Sequence, residues 1–103
     1  MKVIRSSDGA PYVHFIADSA GQVIFELYSN PDAPVPDYAS MDPLVLHIAF
    51  KADDIKSQRQ RLIDSGATPE GDIVVTPAGD QVAMLRDPWG IPIQLAKRAK
   101  PFK

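Results

Sequence analysis

The chain contains no cysteine. Disulfide bonds, thiolate metal sites and a cysteine nucleophile are therefore excluded. Aromatic residues make up only 8% and a single tryptophan is present, so the core must be built mainly from aliphatic side chains. No apolar run approaches the roughly 20 residues of a membrane-spanning helix. The amino terminus, Met1-Lys2-Val3-Ile4-Arg5, lacks the apolar stretch of a secretory signal. No strong charge excess exists either: 11 basic against 13 acidic residues give a net charge of -2. That balance offers no basic surface for a phosphate backbone, so a nucleic-acid partner is not expected. A cytoplasmic location follows by exclusion, with no membrane partner. What remains is 103 residues at 45% hydrophobic and 23% charged, enough for one small globular domain.

Proline is abundant, with ten residues. They fall at the edges of periodic segments and punctuate a mixed α/β pattern. Residues 2–5, 12–17 and 22–28 alternate or carry aromatic and β-branched side chains, and read as an antiparallel meander. Residues 30–43 hold Pro31, Pro34, Pro36 and Pro43. Proline removes backbone donors and fixes φ, so this stretch reads as a linker between two halves. Residues 44–50 form an apolar run of strand length. Asp53 is placed to cap a helix whose apolar stripe is Ile55, Leu62 and Ile63, and Gly66 is placed to end it. Strands are expected at 72–76, 81–86 and 91–96, with turns at Pro77-Ala78-Gly79-Asp80 and Asp87-Pro88-Trp89-Gly90. The second half thus reads β, α, β, β, β, and the first reads only β, β, β. The similar hairpins of the two halves suggest a pseudo-repeat.

Side chains on a strand alternate between faces. In residues 22–28, Val23, Phe25 and Leu27 oppose Ile24, Glu26 and Tyr28. In residues 44–50, Leu46, Ile48 and Phe50 oppose Val45, His47 and Ala49. In residues 91–96, Ile91, Ile93 and Leu95 oppose Pro92, Gln94 and Ala96. Each strand therefore has one apolar face and one face with a single central polar group. A carboxylate, an imidazole and an amide that converged would suit Zn, Ni, Mn, Fe or Co. Each also has an ordinary reading: His47 as a hydrogen-bonded core histidine, Glu26 on a solvent face, Gln94 as a polar strand residue. Asp80 and Asp87 read as turn residues. Trp89 is expected to pack locally, and Lys97, Arg98 and Lys100 to form a solvated tail.

Two ordered sets of residues resemble the vicinal oxygen chelate superfamily (glyoxalase, bleomycin-resistance protein and extradiol dioxygenase). One is Leu46-His47-Ile48-Ala49-Phe50 followed by Asp53-Asp54-Ile55. The other is Met84-Leu85-Arg86-Asp87-Pro88-Trp89-Gly90-Ile91-Pro92-Ile93-Gln94-Leu95. Phe25-Glu26-Leu27-Tyr28 resembles the last strand of the family's first module. The resemblance implies an α+β fold of paired βαβββ modules forming a cupped mixed sheet. The whole chain, 1–103, would be one glyoxalase-like domain: a partial first module at 1–29, the linker at 30–43, a complete second module at 44–98 and a tail at 99–103. The first module would lack its first strand and helix. The same resemblance implies a divalent metal held by Glu26, His47 and Gln94, with Gln94 where the family most often has glutamate. Glu26 would then be the base of a lyase or isomerase acting on a small carbonyl compound. A metal-free small-molecule-binding protein, or a truncated non-catalytic member, is the alternative. Extradiol cleavage is disfavoured by the missing histidine and by Gln94. A homodimer is expected, because a deleted strand leaves an unpaired edge.

Overall fold

A computed structural model describes residues 1–102. The chain divides into two compact units, Met1–Pro36 and Asp37–Lys103. The first unit is an antiparallel meander of β1 (Lys2–Ser6), β2 (His14–Ala17) and β3 (Val23–Leu27). Asp18 makes the β2–β3 turn: its Oδ1 accepts from the amides of Ala20 at 2.9 Å and Gln22 at 3.0 Å. This is the local side-chain-to-backbone bonding for which aspartate is favoured in turns. Register slips occur beside Ile4 in the first pairing and beside Ile24 in the second, so neither residue has a partner in the register. Phe15 lies opposite Arg5 on one side and Glu26 on the other, which puts these three on one face.

The second unit holds β4 (Ile48–Lys51), helix α1 (Ile55–Asp64), β5 (Thr68–Pro69), β6 (Val74–Val75), β7 (Gln81–Arg86) and β8 (Pro92–Lys97). The sheet order is β4-β8-β7-β5, and β6 also pairs with β7. β4 and β8 run parallel, as a strand and helix crossover requires, whereas β7 and β8 form an antiparallel hairpin. Ile48 and Phe50, Ile93 and Leu95, and Ala83 and Leu85 share the face that packs on α1. Ile55, Leu85 and Leu95 are the buried centre of that core, with Leu62 and Ile63 packed against it. The helical stripe read from the sequence is thus the one that meets the sheet.

Capping is one residue displaced from expectation. Asp54 caps α1, accepting from the Ser57 amide at 3.1 Å, and Asp53 pairs instead with Lys51 at 3.5 Å. Asp54 has the extended backbone that an N-cap needs. Gly66 ends the helix as expected: it bonds Ile63 at 3.0 Å, Ala67 bonds Leu62 at 2.9 Å, and Gly66 has φ +111°.

β4 is shorter than the apolar run 44–50. Asp42 folds the segment before it, its Oδ1 accepting from the Leu44 amide at 2.8 Å and its carbonyl from the Val45 amide at 2.9 Å. That turn keeps Leu44, Val45 and Leu46 out of the sheet, and all three are exposed. No helix in the described residues is long and apolar enough to cross a membrane.

Candidate functional site

The face of the second-unit sheet opposite α1 is built by the alternate residues. The hairpin register pairs Met84 with Gln94, and the parallel register pairs Ala49 with Gln94. Ala49, Gln94 and Met84 therefore form one row across three strands. Arg86 and Pro92 make the next row. Glu70, whose amide donates to the Met84 carbonyl at 2.8 Å, extends this face beyond β5. Gln94 is half-buried on it.

His47 stands at the entrance to β4, two residues before Ala49 and half-buried. It precedes Ile48, the first residue of β4 paired with β8, and among the described residues no hydrogen bond or strand pairing joins it to Gln94. Its Nδ1 lies 2.8 Å from the Pro43 carbonyl. A carbonyl only accepts, so Nδ1 of the neutral ring must carry the proton. Nε2 is left with the lone pair. The Asp42 turn that shortens β4 is also what brings Pro43 back to this ring. Histidines that ligate or accept protons are oriented by just such a bond to the second nitrogen.

Arg86 is a residue of this face that sequence reading passed over. Its Nε donates to the Glu70 carboxylate. One terminal nitrogen donates to the carbonyls of Tyr38 and Gly90, each at 3.0 Å, and the other to Met41 at 2.8 Å. The guanidinium thereby fastens the 3-10 turn Tyr38–Ser40 and the 87–90 turn to the sheet. A signal for it existed. Counting outward from the Asp87-to-Gly90 turn places Met84 and Arg86 on the face of Gln94.

Glu26 belongs to the first unit. It is exposed, opposite Phe15, in a shallow cleft that Arg5, Ser7 and Val13 also line. Within the second unit, His47 and Gln94 offer one imidazole and one amide, and the amide is a weak ligand. No group of three histidine, cysteine or carboxylate side chains placed to hold a metal occurs among the described residues. The donors that each unit gathers by itself therefore do not fit a complete divalent-metal centre.

Two turn-and-tail expectations are amended. Arg98 is exposed, as expected of the tail, but it is also tethered: it binds Asp80 at 3.0 Å and lies 5.0 Å from the Phe102 ring centroid. The Asp80 carboxylate also accepts from the Ala99 amide at 2.8 Å. That backbone bond first, and then Arg98, hold its carboxyl below the ordinary aspartate range. Trp89, expected to pack locally, is 78% exposed.

The family model of the Glyoxalase/Bleomycin resistance protein/Dioxygenase superfamily matches residues 1–95, and the chain belongs to that superfamily. Its fold is the α+β arrangement the resemblance implied. A solved glyoxalase family protein from Bacillus cereus is similar at 22% identity and a TM-score of 0.69. The match covers 86% of this chain and 62% of that protein, so the chain spans less than two thirds of its relative's length. A second solved structure, described as a conserved domain protein, is similar at 18% identity and a TM-score of 0.65, with 94% and 76% of the two chains covered. Both likenesses are likenesses of fold. No curated protein sequence matches the chain.

Proposed function

We propose that the chain is a small-molecule-binding vicinal oxygen chelate protein. Its second unit would present the Nε2 lone pair of His47 and the Gln94 carboxamide to a small ligand bearing carbonyl or hydroxyl oxygens. The observation that carries this reading is the bond from His47 Nδ1 to the Pro43 carbonyl, which fixes the ring and its tautomer. Gln94 both donates and accepts, so it suits a carbonyl or a hydroxyl equally. The half-buried setting of both residues keeps them within reach of a ligand.

The same bond favours a second reading, a divalent-metal-dependent lyase or isomerase. A proton on Nδ1 leaves Nε2 free to ligate, as metal-binding histidines require. In that reading the ion is Zn, Ni, Mn, Fe or Co, and Glu26 is the expected base. Self-association to a homodimer belongs to both readings, since such proteins commonly dimerise and bind small ligands. A cytoplasmic setting is retained as part of the proposal.

Elemental analysis of protein purified without chelator separates the two. The binding-protein reading predicts substoichiometric metal that His47→Ala and Glu26→Ala leave unchanged. Stoichiometric metal lost from both variants would establish the enzyme reading in its place. Stoichiometric metal retained by both would overturn the assignment of these residues altogether.

A further inference from the structure

The carboxyl ends of β4 and β8 lie side by side, because the strands are parallel and Lys51 is in register with Ala96. The chain leaves both ends in different directions, into the α1 cap from β4 and into the tail from β8. Here a cleft of about 350 Å³ opens, at the lower end of the range for small-molecule sites. Neither His47 nor Gln94 lines it.

One wall is the tail, and its position is fixed. Asp80 binds the Ala99 amide and the Arg98 guanidinium, and Arg98 in turn lies over the Phe102 ring. Phe50, Ala96 and Phe102 give the cleft an apolar lining. Its charged lining is Lys51, Lys97 and Arg98 against the single acid Asp53. Arg98 is engaged by Asp80, and Lys51 pairs with Asp53 in a largely exposed contact. Such exposed pairs exchange readily with water and with other anions. Lys97 makes no ion pair among the described residues. A cationic rim over an apolar floor is thus set into a chain whose net charge is negative.

We infer that this cleft is a second ligand site, for a small carboxylate with a single aromatic ring or a branched apolar body. Lys51 shares the Ala96 face and Lys97 alternates to the other, so the carboxylate meets both lysines at the rim of the cleft, and the apolar body lies against Phe102 and Ala96. The proposal is independent of the His47 face.

Titration of the isotope-labelled full chain with sodium benzoate, followed by amide NMR, tests it. The expected result is a saturable shift of the Ala52, Ala96 and Phe102 amides at millimolar benzoate. Benzyl alcohol, with the ring but no charge, binds more weakly. Lys51→Ala with Lys97→Ala raises the dissociation constant at least about fivefold, the size of one modest ion-pair contribution. Phe102→Ala also weakens binding, whereas His47→Ala leaves it unchanged. Absence of a saturable shift, shifts confined to residues 1–36 or to the Gln94 row, or equal affinity in the double lysine variant would each overturn the site.

Discussion

Asp80 shows how much one turn residue can organise. Its backbone amide donates to Thr76 Oγ1 at 3.1 Å, closing the β6–β7 turn, while its carboxylate holds the tail through Ala99 and Arg98. The folded carboxyl titrates below its ordinary value of 3.8. A depressed carboxylate stabilises the fold above the unfolded value and loses that contribution as pH falls through the folded one. Urea midpoints measured from pH 6 downward should therefore decline more steeply in acid for the parent chain than for Asp80→Asn. Parallel curves would show that Asp80 contributes nothing to acid sensitivity. From sequence, Asp80 was legible as a turn former. Its hold on the tail was not, because Arg98 and Ala99 are 18 and 19 positions away and only the β7–β8 register brings them near. His47 was legible in the same partial way. The family resemblance made it a candidate site residue, whereas its bond to the Pro43 carbonyl depends on the Asp42 turn.

Among the elements, the β7–β8 hairpin was the most readable. Asp-Pro-x-Gly names its turn, and the Asp87 Oδ1 accepts from the amides of Trp89 and Ile91, each at 2.9 Å. Gly90 is required twice over. Its φ is +91°, and a Cβ there would come within 2.7 Å of Ala39 Cβ and 2.8 Å of the Ala39 backbone. The Gly90 carbonyl also receives Arg86, so the turn and the 38–41 segment are locked together. Gly90→Ala should cost at least about 2 kcal/mol, from left-handed strain plus the clash with Ala39. Chemical denaturation measures it, and a loss below about 0.5 kcal/mol, the range of an ordinary surface change, would show that the close approach is not made. The least readable element was β5. Two residues, one of them proline, carry no periodicity, and only pairing with β7 makes Thr68 and Pro69 a strand. The expected 72–76 strand shrinks to Val74 and Val75, flanked by Gly71 at φ +75° and the Thr76–Asp80 turn.

At the scale of the whole molecule, family membership rests on nearly the full length of the chain. Its surface bears on assembly. Val3, Ile4, Val23, Ile24 and Leu27 of the meander are all exposed, as are Leu44, Val45 and Leu46 of the second unit. Apolar surface of this extent on so small a chain favours self-association. Sedimentation velocity at micromolar concentration should give twice the chain mass, and a monomer there would contradict the homodimer. The fold was legible because the helical stripe, the Gly66 stop and the Asp87-to-Gly90 turn agree with one another and with the residues that resemble the superfamily. The site was legible only as a set of candidates, since strand parity gives a face but not the partners that fix each ring or amide on it. The proposal turns on the neutral ring of His47, whose Nδ1 would donate to the Pro43 carbonyl and leave the Nε2 lone pair for a ligand. Long-range proton–nitrogen NMR of the neutral imidazole tests it most directly. The structure predicts a single tautomer with the proton on Nδ1; a proton on Nε2, or a freely exchanging mixture of the two forms, would contradict it.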